Sequence, residues 1–329
     1  RQTGIFSPWW RTMSDLKIIQ PGILSLPQDG GRYGAHGIGL TTGGPLDRSA
    51  FVWANRLCGN RQQATAIEVT IGGLVLQSNA TTRIAVTGAA MPLSINKQPA
   101  SLWQSHNIYP GDRIELGFAK AGSRAYLALA GGFKIEPIFN STSAVPREAI
   151  GGLNQDGAPL QANQVLPCDD TDNTELGYFL PENQRPDYSH NSVLLRVVLG
   201  YQQAAFSRLQ KQLFFSSDYA VTDSCDRMGY RLKGADIRPS IGGILSEGIC
   251  LGAIQVPADG QPIILMNDRQ TIGGYPKLGS VLSLDIGKLA QLMPGGNVRF
   301  TAISVEQAHN LLALDEYRIN HIELERLVS

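Results

Sequence analysis

The chain has 329 residues, with 28 Lys+Arg against 28 Asp+Glu, so its formal net charge is zero. That balance lacks the basic footprint of a nucleic-acid binder and gives no attraction to an anionic membrane surface. Hydrophobic residues make up 43% and charged ones 17%, enough apolar material for a sizeable core, and the length fits two domains or one large one.

Residues 1–12, RQTGIFSPWWRT, differ in character from the rest of the chain and read as a non-native leader before Met13. From Lys17 to about Leu166, short apolar runs alternate with turn residues, the pattern of β-strands in a sandwich or barrel. Strands are predicted at Arg83–Thr87, Leu93–Asn96, Arg113–Leu116 and Arg124–Ala130. The helix of this half is predicted over Pro45–Leu57, where Asp47 stands near the start and Leu46, Ala50, Phe51, Ala54 and Leu57 recur at helical spacing. Residues 167–192 are acidic, polar and without period, a linker between a lobe of residues 13–190 and a lobe of residues 191–329.

Beyond the linker, Val193–Leu199 resumes β structure and Phe206–Phe215 reads as a short helix. Pro262–Met266 is a strong strand, followed by the polar run Asn267–Lys277. Asp285–Met293 reads as a helix stopped by Pro294, Gly295 and Gly296. Ser304 with Gln307 forms a capping-box pattern for one or two amphipathic helices whose apolar face holds Ala308, Leu311, Leu312, Tyr317, Ile322 and Leu327. The fold class is therefore mainly β with a few helices, in two lobes. Every apolar run breaks well before the ~18 residues of a membrane span, and a cytoplasmic location is expected. Cys58, Cys168, Cys225 and Cys250 form no CxxC pair, so free thiols in a reducing compartment are expected and no metal site is assigned.

Phosphate-loop, dinucleotide-fold, GxSxG and HExxH patterns are missing. Three Gly-rich polar clusters stand out instead, because Gly lets a backbone approach a ligand closely. Gln28–Asp47 holds seven Gly in twenty residues with Asp29, Arg32 and His36. It is either a series of turns with Arg32 paired to Asp29 or Asp47, or a loop whose amides and Arg32 hold an anion, with His36 as acid or base. Ser224–Gly234 carries Asp226, Arg227 and Arg231, and on a strand the two arginines would share a face. Leu245–Lys277 is read as strand, turn at Pro257–Gly260, strand and polar tip. Such polar groups after a buried strand, beside flexible Gly, mark ligand sites.

The strings QDGGRYG and GGPLD, Ala54–Asn60, AIEVTIGG, VTGA, YPGDRIELG, YLALAGG, DRMGYRLKG and QVPADGQPIILMNDRQTIGGYPK occur in order from about Ile18 to Ala308. This series resembles the KipA family, also described as the 5-oxoprolinase C subunit or the allophanate hydrolase subunit 2 / biotin-dependent carboxyltransferase family. The resemblance implies two cyclophilin-like β-barrel lobes. It implies work beside a KipI-type B subunit, together with a LamB/YcsF-type A subunit, in an ATP-dependent 5-oxoprolinase that converts 5-oxo-L-proline to L-glutamate and is inactive as a lone chain. A small amide or lactam is the substrate, ATP binds at or near the interface with the KipI-type partner, and biotin is involved only if another chain supplies it. Two alternatives stand beside it: a carboxyltransferase-like subunit handling urea, and a regulatory antagonist of a kinase inhibitor. A homo-oligomer fits any of them. Within this reading Asp268 and His36 handle protons. Asp29, Arg32, Arg227, Glu247, Gln255, Arg269, Gln270, Thr271, Gly273, Gly274, Tyr275 and Lys277 bind substrate or anion. Three departures from the family pattern are visible: Tyr201 where Pro is usual, the Gly151–Leu160 segment without its Arg and later Gly-Asp, and Ile272 in place of Thr.

Overall fold

Short apolar runs closed by turn residues make strands throughout the described residues. The computed structural model describes residues 14–172 and 177–327. The expected leader lies outside the described residues, as do residues 173–176 of the predicted linker.

The first lobe is built from two sheets. A six-stranded sheet runs Val165–Cys168, Ser14–Pro21, Leu74–Ser78, Arg113–Leu116, Leu93–Ile95 and Gln98–Ala100. A five-stranded sheet runs Leu24–Gln28, Ala66–Thr70, Arg124–Leu129, Thr82–Gly88 and Ser105–Ile108. Inward residues of both, including Leu16, Ile18, Ile67, Val69, Leu76, Ile84, Val86, Ile114 and Leu127, close over one core. Helix α1 (Arg48–Leu57) covers the outer face of the second sheet. Asp47 caps it, its Oδ1 accepting the Ala50 N–H at 3.1 Å, which satisfies one of the free donors of the first turn.

The second lobe is a closed seven-stranded barrel: Ser192–Leu199, Lys277–Val281, Ala253–Gln255, Ile263–Leu265, Gly229–Lys233, Tyr219–Cys225 and Asn297–Ile303. Its first and last strands pair in parallel, from Ser192↔Asn297 to Val198↔Ile303, and this seam leaves no free edge. Helix α2 (Arg208–Ser216), capped by Ser207, stacks Phe214 on Phe300 with ring centroids 4.3 Å apart. Helix α3 (Ser283–Ala290) follows the Lys277–Val281 strand.

The tail is one helix, α4 (Val305–His321), with the capping box between Ser304 and Gln307 formed in both directions. The apolar face expected of it is covered only in part: Ala308 is buried and Ile322 packs against the core below α1, whereas Leu312 is 36% and Tyr317 61% exposed. It returns to the first lobe, where Ile319 joins Phe51, Trp53 and Leu57, and Arg56 donates to the carbonyls of Ile319 and Ile322. Among the described residues no helix is long and apolar enough to cross a membrane. All four cysteines are free thiols, and burial pushes the Cys168 thiol up to about 12.

The lobes meet through buried polar groups. Leu46 crosses into the core of the second lobe. Gln291, just after α3, donates to Asp47 Oδ2 at 2.9 Å and accepts the N–H groups of Ser123 and Arg124 at 2.8 and 2.9 Å. Arg124 donates to the Tyr230 hydroxyl at 2.8 Å.

Candidate functional site

At the centre of that interface lies Arg227, 6% exposed. It occupies the bend before the Gly229–Lys233 strand, so the two-residue alternation expected to place it beside Arg231 does not apply. Arg231 instead pairs with Asp259 at the surface, at 2.7 Å. The Arg227 guanidinium grips Asp268 with two parallel bonds, Nε to Oδ2 and Nη2 to Oδ1, both 2.8 Å. Its Nη1 reaches across to Glu68 Oε1 of the first lobe at 2.6 Å, and Nη2 also donates to the Gly44 carbonyl at 2.8 Å. Burial alone would pull the Arg227 proton off more easily, but Asp268 and then Glu68 outweigh it and hold the guanidinium charged.

This grip fixes the polar tip that follows the Ile263–Leu265 strand. Asn267 donates through Nδ2 to the carbonyls of Gly43 and Pro45, both at 3.0 Å, and its own backbone carbonyl accepts the Thr41 hydroxyl at 2.9 Å. Asp268 is 2% exposed, and both of its oxygens are taken by Arg227. Burial pushes its carboxyl up, against the pull of Arg227. The proton-handling role expected for it meets a physical obstacle, because a carboxylate this buried and forked to an arginine is closed off from solvent. Arg269 is 4% exposed and has no carboxylate within ion-pair distance among the described residues. Its Nε donates to Ile249 O at 3.2 Å and its Nη1 to Met266 O at 3.3 Å, while Nη2 makes no hydrogen bond there. A nearly buried cation without a counter-ion is costly unless an anion completes it.

The Gly-rich loop of the first lobe faces this tip. Arg32 pairs with neither Asp29 nor Asp47, contrary to one expectation. It is fully buried, donating to the carbonyls of Ile138 at 3.2 Å and Ser143 at 3.1 Å, with Nη1 unpartnered. A Cβ on Gly151 would stand 2.9 Å from Arg32 Nη2 and 2.0 Å from Ser143 O, so only glycine fits beside it. Asp29 is spent on the loop itself, accepting from the Ser141 and Ser143 hydroxyls at 2.7 Å and from the Gly31 and Thr142 amides. His36 is partly exposed, with Nε2 3.1 Å from the Thr42 hydroxyl. Burial, together with the Arg269 charge, holds its imidazole below the usual histidine range, against the pull of Glu148.

Residues 38–302 match the family described as carboxyltransferase domain, subdomain A and B. The chain belongs to this family. It is 33% identical over 299 residues to the 5-oxoprolinase C subunit of Haemophilus influenzae, covering 90% of this chain and 93% of that protein. It is 34% identical over 296 residues to the 5-oxoprolinase C subunit of Escherichia coli, covering 89% and 93%. The crystal structure of the Kluyveromyces lactis urea carboxylase superposes with a TM-score of 0.88 at 25% identity, over 98% of this chain and 30% of that one. The carboxyltransferase fold therefore occurs both as a chain of this length and as a segment within a chain about three times longer.

The remaining expected site residues of this carboxyltransferase chain form a second group, on the barrel. Glu247 Oε1 receives Lys277 Nζ and, at 2.9 Å, Gln202 Nε2, while Gln202 Oε1 accepts the Lys277 N–H at 2.9 Å. The short strands Glu247–Gly248 and Ile272–Gly273 pair above it as a two-stranded flap. Under the flap lies Gln255, 1% exposed, with Nε2 unpartnered. A Cβ on Gly273 would come 2.8 Å from that nitrogen, and one on Gly274 3.1 Å from Ile244 O. Gln270 and Thr271 are partly buried, and Tyr275 is 48% exposed.

Sequence reading missed Glu68 and Glu148. Glu148 turns both oxygens to the Thr41 N–H, at 3.1 Å each, and pairs with Arg147 at 2.6 Å. Glu68 had a visible signal, a charge in the middle of the apolar strand Ala66–Thr70. Nothing in the local pattern around Glu148 distinguishes it from a solvated turn residue.

Proposed function

We propose that this chain is the C subunit of an ATP-dependent 5-oxoprolinase, acting with a KipI-type partner and a LamB/YcsF-type partner. The observation that carries the reading is the near end-to-end match to relatives of that name, 93% of the Haemophilus influenzae protein, rather than to a segment of it. The overall reaction takes 5-oxoproline, ATP and two waters to glutamate, ADP and phosphate. An unactivated lactam resists water, whereas phosphorylation of its amide oxygen makes the ring carbon electrophilic, so that water adds there and the C–N bond then breaks with the proton passing to nitrogen. The protein's contribution is then to hold anionic groups and stabilise developing charge. Arg269 Nη2, with no protein acceptor, is the donor offered to the substrate carboxylate, and His36 on the facing loop handles the proton. ATP, for which the sequence holds no nucleotide motif, would be held at the surface shared with the KipI-type partner. Asp268 acts here through Arg227 and the placement of Arg269.

ADP release with 5-oxoproline tests the reading, measured for this chain, for the KipI-type partner, for both together, and for both with the LamB/YcsF-type partner. Turnover is expected only in the mixtures. Arg269→Gln should raise KM for 5-oxoproline roughly 10- to 100-fold, the worth of one charge-assisted hydrogen bond. The uncharged lactam 2-pyrrolidinone should compete poorly against the wild-type complex. Silence in every mixture, despite a stable complex, favours the second reading. That reading is a carboxyltransferase-like subunit for urea with biotin supplied on another chain, and the superposition on urea carboxylase supports it.

A further inference from the structure

Glu68 sits in the middle of the Ala66–Thr70 strand, 1% exposed, on the strand face opposite Ile67 and Val69. Its carboxylate receives Arg227 Nη1 at 2.6 Å, the Tyr126 hydroxyl at 2.7 Å and the Leu46 N–H at 2.9 Å, with Arg124 Nε 4.0 Å away. The Tyr126 hydroxyl in turn accepts the Asp47 N–H at 2.7 Å. Hydrophobic residues of similar volume often replace such a buried charge network without loss of stability. What an apolar contact lacks is direction, and here direction is what the neighbouring groups use. Arg227 has one edge on Glu68 and the other on Asp268. The Asp268 N–H donates to Arg227 O at 2.8 Å, and Arg269 is the next residue.

We propose that Glu68 is a positioning residue of the interlobe site: from the first lobe it sets the Arg227 guanidinium, and through Asp268 the tip that presents Arg269. The proposal rests on the reading of Arg269 as the anion-binding group. Burial pushes the Glu68 carboxyl up, but Arg227, with Arg124, the Leu46 N–H and the Tyr126 hydroxyl, together outweigh it and hold it low. The carboxylate thus stays ionised and keeps its grip on Arg227 across the neutral range.

The test compares wild type with Glu68→Gln in the full chain, using two readouts. The first needs no ligand. In 15N-arginine-labelled protein, the Arg269 Nε–H bonded to Ile249 O should lose at least tenfold in hydrogen-exchange protection, and unchanged protection overturns the proposal. The second is the affinity for inorganic phosphate, by calorimetry. Removing a nearby negative charge would tighten anion binding if Glu68 acted only through its field or only as packing. A positioning role instead predicts weaker binding, by about tenfold, and equal or tighter binding counts against it. Should Glu68→Gln fail to fold, Tyr126→Phe removes one of the three donors and keeps the charge. A smaller loss of Arg269 protection is then expected, and wild-type protection overturns the proposal. Failure of the 5-oxoprolinase reading shows separately, as absent turnover and no preference for 5-oxoproline over 2-pyrrolidinone, with the exchange result standing by itself.

Discussion

His36 and Arg269 belong to different lobes, and the charge of the second acts on the first. The Arg269 charge disfavours protonation of His36, which burial already resists, so the imidazole is neutral at pH 7 and available as a base. In the unfolded chain His36 would take up a proton more readily, near the usual value of about 6.5. Stability from this group is therefore present above that value and declines as pH falls through it. In the assembled enzyme, kcat/KM should fall on the acid side as His36 protonates. His36→Asn should flatten that limb and lower the plateau, about 10²- to 10⁴-fold for a lost acid–base group. A pH–rate profile in which the limb persists in His36→Asn would remove His36 from proton transfer.

At the scale of elements, α1 does more than cover a sheet. Its cap Asp47 has Oδ1 on the Ala50 N–H, and Oδ2 receives both the Tyr188 hydroxyl at 2.6 Å and Gln291 Nε2 at 2.9 Å. One side chain thus ties the start of α1 to the connecting segment and to the second lobe. An ordinary cap is worth about 1 kcal/mol, and each hydrogen bond to a charged acceptor roughly 1.5–3 kcal/mol. Asp47→Ala should therefore lower stability by about 3 kcal/mol or more, read from denaturant unfolding. A loss near the ~1 kcal/mol of a cap would mean that only the cap matters. The sequence showed Asp47 near a helix start, which period and capping chemistry suffice to reveal. Its two other partners come from 141 and 244 residues away, and no local pattern encodes them.

At the scale of the whole molecule, the lobes are joined by charge rather than by apolar surface alone, and this changes what a substitution at the interface does. Asp268→Ala tests this at the centre of the interface. It leaves the buried Arg227 with Glu68 as its carboxylate partner among the described residues, and breaking a buried pair typically costs about 3–5 kcal/mol. The urea midpoint should drop accordingly along with activity, whereas an unshifted midpoint would mean that the pair contributes little to holding the lobes. The mainly β class, several of the strands, the helices and the carboxyltransferase resemblance were legible in the sequence. Each rests on short-range period, turn chemistry or contiguous strings. Tertiary structure alone decided which polar residues meet. Neighbours along the chain, Asp268 and Arg269, part company: one is locked to Arg227, the other left with a free Nη2. Residues remote along the chain, Glu68 and Arg227, share a 2.6 Å bond. The pairing of buried charges depends on which faces the two lobes press together, and that is set by their cores rather than by any segment around the charges themselves.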